Sequence, residues 1–133
     1  MQQEFRKSRL TGLQIAVVED EFLIARDICE TLSALGAEVI GPFPTVTRAL
    51  AGLADHEPMA VLLDLNLVGQ SSLPVAQYLA QRHIPFLILT GYGANMITDD
   101  VLRAAPMVPK PFDEENLISR LLGLLSSTSH GRY

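Results

Sequence analysis

The chain has 133 residues, of which 48% are hydrophobic and 19% charged, a composition that supports a core and differs from that of a disordered tail. Ten basic against fifteen acidic residues give a formal charge of −5, whose sign repels phosphate backbones and argues against nucleic acid as a partner. A single cysteine, Cys29, excludes an internal disulfide, and no apolar run has the length of a signal peptide or a membrane span. We therefore expect one cytoplasmic domain without membrane insertion.

Short apolar runs alternate with helical patterns through the first half of the chain. Residues 13–18 form a run rich in β-branched residues, which is typical of a strand. Residues 22–35 carry apolar side chains at helical spacing as far as Gly36, and glycine commonly ends helices. A second strand is predicted over 38–41, closed by the prolines that follow it, and a second helix over 47–54.

The same alternation continues in the second half. The most hydrophobic strand candidate covers 59–65, and Ser72 is predicted to cap a helix that ends at Gln81. The remaining elements are a strand over 85–90, a helix over 98–105, a strand over 107–109 and a last helix from the capping Asp113 to Leu125.

Five apolar strands alternating with five helices predict an α/β fold, in which helices cover both faces of a doubly wound, five-stranded parallel sheet. We expect the domain to span 13–125, preceded by an extension over 1–12 and followed by a loose tail over 126–133.

Polar side chains follow the carboxyl ends of the predicted strands, where ligands bind in such sheets. They are Glu19 and Asp20 after the first strand, Asp64 and Asn66 after the third, Thr90 after the fourth and Lys110 after the fifth. Two carboxylates about 4 Å apart repel each other by roughly 4 kcal/mol at an effective dielectric constant near 20. Clustered acids therefore need a cation or a raised pKa, and Mg²⁺ is suitable because it prefers hard oxygen ligands. A carboxylate beside Mg²⁺ can attack a phosphoryl group whose oxygens are stabilised by a lysine and a hydroxyl.

Three segments, 17–21, 62–64 and 110–112, resemble the acidic pocket, the phosphoacceptor strand and the lysine–proline turn of response-regulator receiver domains from two-component systems. The resemblance extends from about residue 13 to 125. It implies that Asp64 is phosphorylated, that Asp20 and Asp64 hold Mg²⁺ with Glu19 assisting through water and Asn66 through its backbone carbonyl, and that Thr90 and Lys110 contact the phosphoryl oxygens. It further implies a cis peptide between Lys110 and Pro111, and a phosphoryl donor that is a sensor histidine kinase or a histidine phosphotransfer protein docking near the first helix.

The chain departs from the usual receiver pattern at three positions. Val68 and Ser72 stand where most receivers have proline and glycine, and Met107 stands where most have an aromatic residue that moves inward on activation. Residues 86–93 instead resemble the stand-alone receivers of the FAT GUY subgroup, although Leu89 replaces the alanine of that motif. In this setting Tyr92 is a candidate for the moving ring.

The resemblance implies a signalling module whose responsive face covers about 94–125 and contacts a downstream protein. Because few residues follow the last predicted helix, we expect no DNA-binding output; the signal would leave by protein contact, or the phosphoryl group would be relayed or drained. One alternative is a phosphorylation-independent adaptor with the same fold. A less favoured one is a phosphatase of the haloacid dehalogenase type, whose second aspartate acts as the general acid; here that position is Asn66.

Overall fold

The computed structural model describes residues 9–91 and 99–131, and within them the side chains of 9–91 and 99–127. This part of the chain contains seven strands and five helices. The strands are β1 (Gln14–Val18), β2 (Glu38–Phe43), β3 (Ala60–Asp64), β4 (Asn66–Leu67), β5 (Gln70–Ser71), β6 (Phe86–Thr90) and β7 (Met107–Pro109). The helices are α1 (Phe22–Ala34), α2 (Val46–Ala54), α3 (Leu73–Gln81), α4 (Asp100–Ala104) and α5 (Glu114–Gly131).

Five of the strands form one sheet in the order β2-β1-β3-β6-β7, and every neighbouring pair is parallel. Of the three inner strands, β3 and β6 are buried along their whole length, because helices cover both faces of the sheet. The predicted five-stranded, doubly wound α/β fold is therefore confirmed. The two short strands β4 and β5, which the sequence patterns did not predict, form a separate antiparallel hairpin.

Alternate side chains of the sheet enter two separate cores. Ala16 and Val18 of β1 point into a core that contains residues of α2, α3 and α4. Their neighbours Ile15 and Val17 point into a second core, formed with α1 and α5. Cys29 packs against this second core and is half-buried, in agreement with a structural role for its side chain.

Strand β2 is longer than predicted, since it continues through Pro42 to Phe43. The pairing of β1 with β2 shifts register between Ala16 and Val18, so that Val18 lies opposite Phe43. At the edge of a sheet proline is tolerated, because its missing N–H faces away from the neighbouring strand, and a bulge absorbs the extra residue. The expected end of this strand at Gly41 was therefore wrong.

Several helix ends differ from the predictions. Ser72 lies at the N-cap position of α3, but its side chain makes no capping hydrogen bond, and the Ser71 hydroxyl accepts from the Leu73 N–H instead (3.1 Å). Asp113 does cap α5, as predicted, by accepting from the Asn116 N–H (2.7 Å). The same helix continues past Leu125 to Gly131, into the predicted loose tail, because each added helical residue gains a backbone hydrogen bond and no proline interrupts it.

The domain limits 13–125 stay a prediction. Thr98, the predicted start of α4, lies outside the described residues.

Within the described part of the chain, no helix combines the length and the hydrophobicity needed to cross a bilayer.

Candidate functional site

Three carboxylates lie close together at the point where the order of the strands in the sheet reverses. The chain leaves β1 toward β2 on one side and later returns to β3 on the other, so the ends of β1 and β3 flank the topological switch point. Glu19 and Asp20 follow β1, and Asp64 ends β3. One carboxylate oxygen from each of the three residues lies within 4.8 Å of the other two.

Backbone groups hold the two acids that follow β1. The Glu19 N–H donates to the Phe43 carbonyl (3.0 Å), so the extension of β2 through Pro42 fixes the backbone of Glu19. The Glu19 carboxylate accepts from the Glu21 N–H (3.1 Å), and the Asp20 carboxylate accepts from the Val68 N–H (2.9 Å). Sequence reasoning did not identify the contributions of Phe43 and Val68. Glycine and proline inside an apolar run were a signal for the bulge beside Phe43.

Lys110, which directly follows the edge strand β7, contacts two of the three acids. Its Nζ lies 2.8 Å from Glu19 Oε1 and 3.3 Å from Asp64 Oδ2, and its side chain is only 16% exposed. The Lys110 N–H donates to the carbonyl of Thr90, which is buried at the end of β6. The peptide between Lys110 and Pro111 is cis, as the resemblance implied.

The pKa of Asp64 is raised to about 8. Burial disfavours its charged form most strongly, and the hydrogen bond and negative charge of Glu19 act in the same direction, whereas Lys110 opposes them. Burial also disfavours the charge of Lys110, but its hydrogen bond to Glu19 and the charge of Asp64 outweigh this and raise the pKa of the lysine. Partial burial of Asp20 is likewise outweighed by the hydrogen bonds that it accepts, above all from Val68, and its pKa is lowered.

This donor set fits a divalent cation. Three carboxylates and one ammonium group leave excess negative charge when all are ionised, and a cation would offset it. Carboxylate oxygens are the ligands that Mg²⁺ prefers, and Mg²⁺ needs only a few of them because it keeps several waters.

Three further residues were expected to take part in the site or in its switch: Asn66, Met107 and Tyr92. Asn66 follows Asp64 by two residues and pairs with Ser71 in the β4–β5 hairpin, with its side chain exposed. Met107 is half-buried against the first core, and its carbonyl accepts from Arg120 Nη1 (2.7 Å). Tyr92, the candidate for a moving ring, lies outside the described residues.

Residues 15–122 match the model of the response regulator receiver domain, so the chain belongs to this family. The order of the parallel sheet and the acids at its switch point agree with this assignment.

Among curated relatives, the chain is similar to the sensor protein TorS of Escherichia coli (strain K12), with 34% identity over 116 residues that cover 82% of this chain and 12% of TorS. It is also similar to the phyllosphere-induced regulator PhyR of Methylorubrum extorquens, with 31% identity over 107 residues, 78% of this chain and 40% of PhyR. The chain therefore spans less than half the length of these two proteins.

Two solved structures are similar as well. The solution structure of SdrG from Sphingomonas melonis Fr1 is 41% identical, with a TM-score of 0.73, and the match covers 87% of this chain and 97% of that one. The response regulator PhyR from Brucella abortus is 29% identical, with a TM-score of 0.81, and the match covers 97% of this chain and 54% of that one.

Proposed function

We propose that this chain accepts a phosphoryl group on Asp64 as a response regulator of a two-component phosphorelay. The observation that carries the proposal is the position of Lys110, whose Nζ contacts both Glu19 and Asp64 at the switch point of the sheet. A buried acid beside a lysine and two further carboxylates is what an aspartyl-phosphate site requires, because the same groups can hold a cation and stabilise phosphoryl oxygens.

In the proposed step, a carboxylate oxygen of Asp64 forms a bond to the phosphorus of a phosphohistidine. The phosphorus–nitrogen bond of the donor breaks, and the imidazole leaves with the electron pair of that bond and takes up a proton. Lys110 is placed to exchange its contact with Asp64 for one with a phosphoryl oxygen, and the Thr90 hydroxyl would bind another of these oxygens.

A Mg²⁺ ion, when bound, would neutralise negative charge on the carboxylates and the phosphoryl oxygens. Asp20 and Asp64 would hold it through their carboxylates, Glu19 through water and Asn66 through its backbone carbonyl. The proximity of the three carboxylates supports this assignment.

Receiver domains work with histidine kinases, and we propose a sensor histidine kinase or a histidine phosphotransfer protein as the donor. A groove of about 470 Å³ beside Lys110, between α1 and the start of α5, supports docking near the first helix. Its floor includes Ile28 and Leu117. Asp27, Glu30 and Glu114 line the same groove, which favours a basic donor surface.

Output would leave through the expected 94–125 face, of which 94–98 lie outside the described residues, to a downstream protein, or the phosphoryl group would be relayed or drained. The motif in 86–93 supports a place among receivers of the FAT GUY type. We expect such a protein to act in the cytoplasm. Receiver domains are generally not classed as enzymes, and Asn66 cannot donate and retake a proton as the general acid of a phosphatase must.

The test is phosphorylation by acetyl phosphate in the presence of Mg²⁺, followed by intact-mass measurement. We expect one phosphoryl increment in the wild type and in Asp55→Asn, which neutralises an exposed acid at the end of α2, and none in Asp64→Asn. If the chain accepts phosphate only from its kinase, the increment will be absent but calorimetry will still detect Mg²⁺ binding that Asp64→Asn weakens. Absence of both the increment and Mg²⁺ binding would contradict the proposal and favour the phosphorylation-independent adaptor.

A further inference from the structure

The segment between β3 and α3 folds back on itself beside the carboxylates. Strands β4 and β5 pair Asn66 with Ser71 and Leu67 with Gln70, which leaves Val68 and Gly69 as a two-residue turn. Both turn residues have positive φ, 50° at Val68 and 77° at Gly69, the pattern of a type I′ hairpin turn. Glycine adopts this conformation readily, but a β-branched residue does so only under strain.

Packing of the valine side chain does not explain the strain. The Val68 side chain is 65% exposed, so it gains little from burial. Strain of this kind persists where surrounding contacts determine the backbone conformation. The contacts that do so here are the hairpin pairing itself and the hydrogen bond from the Val68 N–H to Asp20 Oδ2 (2.9 Å).

The hairpin is firmly attached to the core on both sides of the turn. Leu67 is only 1% exposed, and the Leu65 N–H donates to the Leu89 carbonyl (3.1 Å). The Ser72 N–H closes the base of the loop by donating to the Leu65 carbonyl (3.0 Å). The Val68 N–H therefore presents a fixed donor to Asp20, whose own backbone belongs to a different strand connection.

We propose that the Val68 N–H is a positioning group for the cation site: it fixes the Asp20 carboxylate toward Glu19 and Asp64 before a cation binds. Without this donor, the Asp20 carboxylate would lose the backbone hydrogen bond that holds it beside Glu19 and Asp64, and it would be free to turn toward solvent. The bond from Val68 uses one of the several lone pairs of the Asp20 carboxylate, which leaves the others available to a cation. Groups that orient a metal ligand in this way typically change metal affinity about 10- to 100-fold when removed. The inference rests on the proposed function, because it assigns a role in the Mg²⁺ site named there.

The test compares two substitutions at the same position by titrating the full chain with MgCl₂ in a calorimeter. Val68→Pro introduces the residue that most receivers have at this position, but in this hairpin it removes the N–H donor to Asp20 and excludes positive φ, so we expect Mg²⁺ affinity to fall about tenfold or more. Val68→Asn is the conservative variant: it keeps the N–H, and asparagine followed by glycine suits a type I′ turn, so wild-type affinity should be retained. Neither variant changes a carboxylate, Thr90 or Lys110.

A spectroscopic measurement keeps the proposal testable if Val68→Pro does not fold. The amide proton of residue 68 in the metal-free wild type should resonate downfield, as expected for a hydrogen bond to a carboxylate. Asp20→Ala should move this resonance upfield, whereas Asp27→Ala, on the exposed face of α1, should not.

The possible results separate this inference from the proposed function. Equal Mg²⁺ affinity of folded Val68→Pro and wild type, or a residue-68 amide unaffected by Asp20→Ala, would overturn the positioning role and leave the phosphoacceptor site intact. Absence of Mg²⁺ binding to the wild type would instead count against the proposed function itself.

Discussion

At Asp64, burial and a neighbouring charge oppose ionisation of the same carboxyl group. The residue ends an entirely buried strand and is 7% exposed, with Glu19 beside it and Lys110 as the counterion of both. Lys110 Nζ is closer to Glu19 than to Asp64, at 2.8 Å against 3.3 Å. Asp64 is thus the less well compensated of the two acids that the lysine contacts, and this agrees with the direction of its pKa shift.

The raised pKa of Asp64 predicts a pH-dependent gain in stability from Asp64→Asn in Mg²⁺-free, chelated buffer. The folded protein holds a proton on Asp64 up to about pH 8, whereas the unfolded chain releases it near pH 3.8. Between these values the native state binds more protons, so the wild-type free energy of unfolding falls as pH rises. The asparagine side chain of the variant does not titrate in this range. The free energy of unfolding of Asp64→Asn should therefore exceed that of the wild type by about 1–3 kcal/mol once the pH passes 8.

Urea unfolding of both proteins from pH 4 to pH 9 measures this difference. Asp27→Asn is the matched control, because Asp27 is exposed on α1 and its substitution should give a difference that is small at every pH. A difference between Asp64→Asn and wild type that stays constant with pH would show that the acid is not held in its neutral form.

At the level of elements, the end of β2 links the fold to the site. Phe43 accepts the Glu19 N–H through its carbonyl, while its ring covers Gly52 of α2. A Cβ added at Gly52 would lie 2.3 Å from two atoms of this ring, so the ring would have to move. The glycine in α2 therefore permits a close approach between helix and strand.

The surroundings of two helical glycines consequently predict opposite effects of a glycine-to-alanine substitution on stability. Gly52→Ala should destabilise the protein by about 0.5–2 kcal/mol, because displacement of the Phe43 ring outweighs the gain in helix propensity. Gly123→Ala in α5, where an added Cβ meets nothing within 4 Å, should stabilise it by about 0.5–1 kcal/mol. Thermal unfolding of the two variants checks the sign of each change. Stabilisation by Gly52→Ala would mean that the Phe43 ring is free to leave this position.

The elements that sequence patterns predicted best are those with strong local signals. Apolar runs identified every strand of the main sheet, and Met107–Pro109 agrees with its predicted limits. The end of β2 was missed because proline normally stops a strand, and only the neighbour relations in the sheet show that this edge tolerates it. The β4–β5 hairpin was missed because its strands have two residues each and Val68 is an unfavourable turn residue.

The acids and the lysine of the site were predictable for a different reason. Parallel strands bring their carboxyl ends to one edge, so the sequence alone places Glu19, Asp64 and Lys110 together. The donors that hold them could not, since the Val68 N–H and the Phe43 carbonyl are backbone groups that any residue type carries.

Across the whole molecule, exposed large hydrophobic side chains are unevenly distributed. In residues 9–91 and 99–127 they are Phe22, Leu23, Met59 and Val68, exposed by 75%, 65%, 45% and 65%. Phe22 and Leu23 begin α1 directly after the acids, and Val68 is bonded to Asp20, whereas Met59 precedes β3 at the opposite end of the sheet. A phosphohistidine protein that reaches the 7% exposed Asp64 must cover the first end and so remove its apolar side chains from water.

This asymmetry predicts that Phe22→Ser slows phosphoryl transfer from a protein donor but not from a small one. With a purified histidine kinase that phosphorylates the wild-type chain, the rate at subsaturating receiver concentration should fall about tenfold, because burial of a phenylalanine side chain contributes about 1.5–3 kcal/mol. With acetyl phosphate the rate should stay near that of the wild type, since the carboxylates, Thr90 and Lys110 are unchanged. Met59→Ser removes an exposed side chain at the opposite end and should alter neither rate. If Phe22→Ser slowed transfer from the kinase and from acetyl phosphate equally, Phe22 would belong to the phosphoacceptor pocket. If Phe22→Ser and Met59→Ser slowed transfer from the kinase equally, the kinase would bind elsewhere on the sheet.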